Sequence, residues 1–155
     1  MVVDDEIEMR IALETTLKRE GHHITLAENG KQALEKLNED SFDLVLTDVK
    51  MPKMNGVELL KVLKKKSPKT VAIMMTAYGD IDNAVETIKA GAFDYLLKPF
   101  SAEILVATVN RAFLNKNSPK NEFVRLTPEM SSPSGRERRI VTQNKQMLEL
   151  IKFVE

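Results

Sequence analysis

Short apolar runs alternate with stretches of helical spacing from Val2 to Asn115. The runs are Val2-Val3, Ile24-Thr-Leu-Ala27, Leu44-Val-Leu46, Val71 to Met75 and Tyr95-Leu-Leu97. Each is rich in aliphatic residues and bounded by turn formers, the pattern of strands buried on both faces. Between them Met9, Leu13 and Leu17 recur every four residues. Ile81, Val85 and Ile88 repeat that spacing with one step of offset, and Leu59, Leu60 and Leu63 share a helical face. Ser101 is placed to cap a last helix carrying Ile104, Leu105, Thr108 and Val109. Gly21, Asn29-Gly30, Asn55-Gly56 and Gly91 stand at the boundaries, where a turn or helix end needs a permissive backbone. Five strands alternating with five helices predict right-handed βαβ crossovers and a doubly wound parallel sheet covered on both faces, an α/β fold. The first strand is the thinnest of the set, two valines after the initial methionine.

After Asn115 the composition changes. Residues 116–139 contain Pro119, Pro128 and Pro133, several Ser and Asn, and more Lys and Arg than acid, as a linker would. Met147, Leu150, Ile151 and Val154 then fall at i, i+3, i+4 and i+7, one amphipathic helix. A lone helix of that size is marginal in water. Residues 140–155 are therefore expected to open a second domain that is cut short at Glu155, behind a first domain over residues 1–115.

Composition narrows the classes. The chain has 155 residues, enough for one ordinary domain and a tail. Its formal net charge is zero, which gives no general pull toward nucleic acid or a membrane surface. The absence of cysteine excludes disulfide frameworks and thiolate zinc sites. Every apolar run is broken within a few residues, and the acidic start Met1-Val-Val-Asp-Asp-Glu6 is unlike a secretory signal. A cytoplasmic protein is expected.

The chemistry lies in where the reactive side chains fall on the strand map. Asp4 and Asp5 follow the first strand, Asp48 closes the third, Thr76 the fourth and Lys98 the fifth. In an open parallel sheet the ligand site lies beyond the carboxyl ends of the strands, where strand order reverses. Three carboxylates, a hydroxyl and an ammonium are thus delivered to one edge. A pair of carboxylates about 4 Å apart repels by roughly 4 kcal/mol at an effective dielectric near 20. A hard divalent cation relieves this, and oxygen-only ligation points to Mg²⁺ rather than zinc. One carboxylate can then attack phosphorus and form an aspartyl phosphate. Lys98 would neutralise the phosphoryl oxygens and the Thr76 hydroxyl would donate to another.

Four segments carry a resemblance: Val2-Val-Asp-Asp-Glu6, Leu44-Val-Leu-Thr-Asp-Val-Lys-Met-Pro52, Met74-Met-Thr-Ala-Tyr-Gly79 and Tyr95-Leu-Leu-Lys-Pro-Phe100. In this order and at these separations the chain resembles the receiver domains of two-component response regulators over about residues 1–115. The resemblance implies a flavodoxin-like sheet of order 2-1-3-4-5 and Asp48 as phospho-acceptor, with Lys98 and Thr76 assisting. It implies Mg²⁺ held by Asp4, Asp5, Asp48 and the Lys50 backbone carbonyl. It also implies a switch pair, Thr76 and Tyr95, that remodels the face formed by helix four, strand five and helix five, and a cis Lys98-Pro99 peptide. The partners implied are a sensor histidine kinase and a second copy of the chain across that face. Residues 140–155 are similar to the opening of the AAA+ domain in NtrC-type, sigma-54-dependent transcriptional activators, although Thr142-Gln143 depart from the usual glycine-containing opening. No G-x-x-x-x-G-K-[ST] occurs, so the chain is not expected to act as an ATPase or as any enzyme beyond its own phosphorylation and dephosphorylation.

Other readings of these residues are weaker. Asp4 and Asp5 alone could cap a helix, and Asp48-Val-Lys-Met-Pro alone could end a strand; their register with Thr76 and Lys98 argues otherwise. Tyr95 could be plain core. His22-His23 has no third ligand nearby and reads as a solvated turn. Lys64-Lys-Lys66 reads as a helix end favourable to the dipole, and Arg136, Arg138 and Arg139 lack aromatic partners, so neither is a nucleic-acid patch. The resemblance further implies that the residues two beyond the acceptor and the threonine, Lys50 and Tyr78, influence how long the phosphoryl group survives, and they are expected to restrict in-line water and lengthen its lifetime. A phosphatase with an Asp nucleophile would need a general acid and a cap, but position 50 is Lys and no insertion is long enough. A receiver kept only as an interaction module would typically have lost the acceptor or the lysine, and this chain keeps both.

Overall fold

The computed structural model describes residues 1–77 and 81–116, with the side chains of 81–84 excepted. Ten elements follow in strict alternation. They are β1 (Val2–Val3), α1 (Ile7–Arg19), β2 (Leu26–Ala27), α2 (Gly30–Glu39), β3 (Leu44–Asp48), α3 (Gly56–Lys66), β4 (Val71–Ala77), α4 (Ile81–Lys89), β5 (Asp94–Lys98) and α5 (Ala102–Lys116). The strands form one parallel sheet of order β2-β1-β3-β4-β5, the expected doubly wound arrangement.

Alternation along each strand divides the interior into two layers. Val2, Leu44, Leu46, Ile73, Met75 and Leu96 face Leu13 and Leu17 of α1 and Leu105, Val109 and Ala112 of α5. Neighbouring positions such as Val3, Val45, Met74 and Tyr95 are buried on the other face, where Leu59, Leu60 and Leu63 of α3 are buried too. Full burial of an aliphatic side chain such as Leu46 or Ile73 contributes about 1.5–3 kcal/mol.

Three strands differ in length from the reading of the sequence, β5 only by starting one residue earlier, at Asp94. β2 is confined to Leu26–Ala27, short of the expected Ile24 start, because its partner is only two residues long: Val2 pairs with Leu26 and Val3 with Ala27. β4 runs past Thr76 to Ala77, since β5 continues beside it as far as Lys98. α2 turns Gly30, Ala33, Leu34 and Leu37 inward at i, i+3, i+4 and i+7, with Gly30 and Ala33 buried and the two leucines half-buried.

Helix ends are fixed by recognisable chemistry. Asn29 caps α2 by accepting from the Gln32 N–H at 3.0 Å. Asn55 and Glu58 form a reciprocal capping box at the start of α3, at 2.9 and 3.0 Å. Gly91, at φ 100°, ends α4 in a Schellman turn in which Ala92 N–H donates to Thr87 O at 3.0 Å. Ser101 N-caps α5 weakly, its Oγ accepting from Ile104 N–H at 3.4 Å. Lys64, Lys65 and Lys66 occupy the last turn of α3, with the Lys64 ammonium donating to Thr70 O at 2.9 Å. His22 is more than a solvated turn residue: its ring stacks on Phe113 of α5 at 5.4 Å. Lys116, the first residue of the expected 116–139 linker, instead closes α5; the rest of that linker with Arg136, Arg138 and Arg139, the helix around Met147, and Tyr78 lie outside the described residues.

Candidate functional site

The site is assembled at the carboxyl ends of neighbouring strands. Val3 of β1 lies in register with Thr47 of β3, so the next residues, Asp4 and Asp48, come side by side. Asp4 is 0% exposed and Asp48 7%, while Asp5 is exposed to solvent. Each offers a carboxylate oxygen, and these oxygens lie within 4.8 Å of one another.

Lys98, closing β5, reaches across the edge. Its Nζ donates to Asp4 Oδ2 at 2.8 Å and stands 3.4 Å from Asp48 Oδ1. Asp4 Oδ1 accepts from Glu6 N–H at 2.9 Å, and Asp48 Oδ1 accepts from Val49 N–H at 2.9 Å. Burial raises the Asp48 carboxyl to about 6; Lys98 opposes the rise and Asp4 adds to it. Burial pulls Lys98 down, but its hydrogen bond to Asp4 and the nearby carboxylates outweigh this and hold the ammonium above its ordinary range.

The donor set suits a hard cation. Among the described residues three carboxylates face one ammonium, that of Lys98, leaving a net negative pocket of oxygen ligands. Mg²⁺ is bound through oxygen ligands, and Asp4, Asp5 and Asp48 would supply three from one cluster. A cavity of about 650 Å³ opens beside the cluster, lined by Asp5, Lys50, Pro52, Lys61 and Glu86 among others. On its rim Lys61 of α3 pairs with Glu86 of α4 at 3.1 Å.

Thr76 and Tyr95 lie on one face of the sheet. Met74 is in register with Tyr95, and Thr76 is two residues further along the same strand. Thr76 is 1% exposed and Tyr95 2%, yet among the described residues neither Thr76 Oγ1 nor Tyr95 Oη has a hydrogen-bond partner. Leaving such a group unsatisfied costs about 1–3 kcal/mol. Two free hydroxyls therefore lie buried on the two strands that carry Thr76 and Lys98 to the edge. The Lys98–Pro99 peptide is cis.

Two residues of the site escaped the sequence reading. Gly56 was noted only as a turn former. A Cβ there would meet Asp48 O at 2.0 Å and its carbonyl carbon at 2.9 Å, so only glycine lets α3 begin directly beneath the acceptor. Arg10, which showed as a polar position of α1, reaches back so that its Nη1 donates to Asp4 O at 2.6 Å. An Asn-Gly pair hints at the first; no local signal marks the second.

Comparison with known proteins agrees with this geometry. Residues 1–110 match the family model described as response regulator receiver domain. The chain is 46% identical over 112 residues to the transcriptional regulatory protein ZraR of Klebsiella oxytoca, covering 72% of this chain and 25% of that protein. It is 36% identical over 152 residues to the regulatory protein AtoC of Escherichia coli, covering 98% of this chain and 32% of that one. It thus spans about a quarter to a third of these relatives. The solution structure of the beryllofluoride-activated NtrC4 receiver domain dimer superposes with a TM-score of 0.71 at 38% identity, covering 74% of this chain and 95% of that one.

Proposed function

The chain belongs to the response regulator receiver domain family, and from that premise we propose that it is a phosphorylation switch in which Asp48 takes a phosphoryl group from a sensor histidine kinase. The observation that carries this reading is the convergence of Asp4, Asp5 and Asp48 within 4.8 Å, with Lys98 bridging two of them. A carboxylate oxygen of Asp48 attacks phosphorus; the phosphorus–nitrogen bond of the donor phosphohistidine breaks, and its electron pair returns to the imidazole. Mg²⁺, held by Asp4, Asp5, Asp48 and the Lys50 carbonyl, would neutralise the charge gathered on the phosphoryl oxygens. Lys98 supplies a further fixed positive charge at the same place. Hydrolysis of the acyl phosphate by water returns the carboxylate and inorganic phosphate. No other catalytic activity is assigned to this chain.

Switching follows from what phosphorylation offers the buried hydroxyls. Among the described residues Thr76 Oγ1 has no partner, and a phosphoryl oxygen on Asp48 would accept from it. A ligand moves an equilibrium only by its differential interaction with two states, and Thr76 and Lys98 provide that difference. Tyr95 shares the face of Thr76 and has a free hydroxyl of its own, so we assign it the second half of the switch. The remodelled surface of α4, β5 and α5 would pair with a second copy, in keeping with the dimer named for the NtrC4 receiver, and so control a transcription-activating output domain. The similarity to AtoC over 98% of the chain supports such an output beyond the receiver, and no direct contact with nucleic acid is assigned to this chain. No helix among the described residues is long and apolar enough to cross a membrane, in keeping with the cytoplasmic setting proposed here.

Intact mass after incubation with acetyl phosphate tests the core of this reading. A Mg²⁺-dependent gain of one phosphoryl group in the parent, absent in Asp48→Asn, is expected. No gain in a folded parent would refute it.

A further inference from the structure

The turn between β1 and α1 carries two of the three carboxylates, and it holds them very differently. Asp4 is buried, with one oxygen accepting from Glu6 N–H and the other from Lys98 Nζ. Asp5 is exposed, and among the described residues no hydrogen bond holds its carboxylate. Its direction is therefore set by the backbone from which it departs. That backbone is gripped by Arg10, one turn into α1, whose Nη1 donates to the Asp4 carbonyl at 2.6 Å. The carbonyl belongs to the planar peptide joining Asp4 to Asp5. Fixing its oxygen fixes the plane on which the Asp5 side chain is mounted, and a charged donor makes the grip stronger than a neutral one would be.

We propose that Arg10 is a positioning residue for the cation site, acting through the Asp4–Asp5 peptide to aim the Asp5 carboxylate at the cluster. The proposal rests on the Mg²⁺ reading given above. It differs in sign from the simpler idea that Arg10 is a neighbouring charge. As a mere charge, Arg10 repels an incoming cation, and its neutralisation would tighten Mg²⁺ binding. As a clamp, its loss frees the peptide and weakens binding in spite of the charge removed. Removing a residue that orients a metal ligand typically costs about 10–100-fold in affinity.

Calorimetric titration of the whole chain with Mg²⁺ decides between them, comparing the parent with Arg10→Gln. Binding weakened by about tenfold is expected, with the phosphorylation rate from acetyl phosphate at saturating Mg²⁺ within about twofold of the parent, because the reacting groups themselves are untouched. Binding equal to or tighter than the parent's, or a rate that stays low at saturation, overturns the proposal. Arg10→Met, which retains the aliphatic stem along α1, is judged by the same criteria should Arg10→Gln not fold. A folded parent that binds no Mg²⁺ would sink the cation reading itself, whereas a parent that binds beside an unweakened variant sinks only the role of Arg10.

Discussion

Replacing Asp48 by asparagine is expected to stabilise the metal-free protein at neutral pH, although it destroys the acceptor. The Asp48 carboxyl is raised from its ordinary 3.8 to about 6, chiefly by burial. Below pH 3.8 folded and unfolded chains both hold the proton, and the group makes no difference. Between 3.8 and about 6 the folded state keeps a proton that the unfolded state has released, so stability falls as pH rises. Above about 6 the whole penalty is present. A gap of roughly two pH units at 1.36 kcal/mol each gives about 3 kcal/mol, less whatever water reaching the rim of the pocket restores. Asparagine keeps the shape and can still accept from Val49 N–H while carrying no charge. Urea unfolding in EDTA followed by circular dichroism, from pH 4 to 8, is the assay. Asp48→Asn is expected to gain about 2–3 kcal/mol at pH 7.5, a shift of about 1 M or more in midpoint, with the gain vanishing toward pH 4. Saturating Mg²⁺ at about a hundred times its Kd would add roughly 2.7 kcal/mol to the parent and close the gap. A variant no more stable than the parent at pH 7.5, or a gain that does not change with pH, would refute the reasoning.

Gly56→Ala forces a Cβ to within 2.0 Å of the Asp48 carbonyl oxygen; a loss of about 1–3 kcal/mol or more is expected in urea unfolding, together with slower acetyl phosphate labelling. Tyr95→Phe removes a buried hydroxyl that has no partner among the described residues, so it is expected to be neutral or to stabilise by up to about 1 kcal/mol, and a thermal melt that falls by several degrees would contradict this. Lys98→Ala leaves the fully buried Asp4 without the ammonium that pairs with it; in EDTA at pH 7.5 it is expected to cost about 2–4 kcal/mol, and labelling of Asp48 measured by intact mass should slow even when Mg²⁺ is saturating.

The parts of the site that could be read in the sequence are those tied to strand ends. Asp4, Asp5, Asp48 and Lys98 each stand at the end of an apolar run, and a parallel sheet turns such positions into neighbours. Thr76 followed from the same logic, although β4 extends one residue beyond it. The relationships that were hidden depend on distance rather than order. Arg10 lies on a helix whose apolar stripe marks it only as outside the core, and its contact with the Asp4 carbonyl depends on where α1 begins. The stacking of His22 on Phe113 joins residues far apart in the chain, which a reading of local spacing cannot bring together. The brevity of β2 likewise reflects its partner, because a strand ends where its neighbour ends.

The two ends of the sheet differ in whether their buried hydroxyls are satisfied, and this difference bears on the switch proposed above. At the amino-terminal end, Thr70 Oγ1 donates to Phe42 O, Lys64 Nζ donates to Thr70 O, and Lys116 pairs with Asp43, whose carboxyl is lowered by that partner. The buried polar groups there have hydrogen-bond partners, although burial lowers the Met1 ammonium to about 6 and lowers Lys64 as well. At the carboxyl end a carboxylate is held above its ordinary range, and two buried hydroxyls have no partner among the described residues. Each such deficit costs about 1–3 kcal/mol. Three of them together are comparable with the differential that a two-state element needs in order to change its dominant population. A phosphoryl group on Asp48 converts the carboxylate to an acyl phosphate and offers oxygens that Thr76 can reach, so it acts on the deficits themselves. In the switch proposed above, part of the free energy would thus be stored in the unmodified pocket, and phosphorylation of Asp48 would favour the arrangement that releases it.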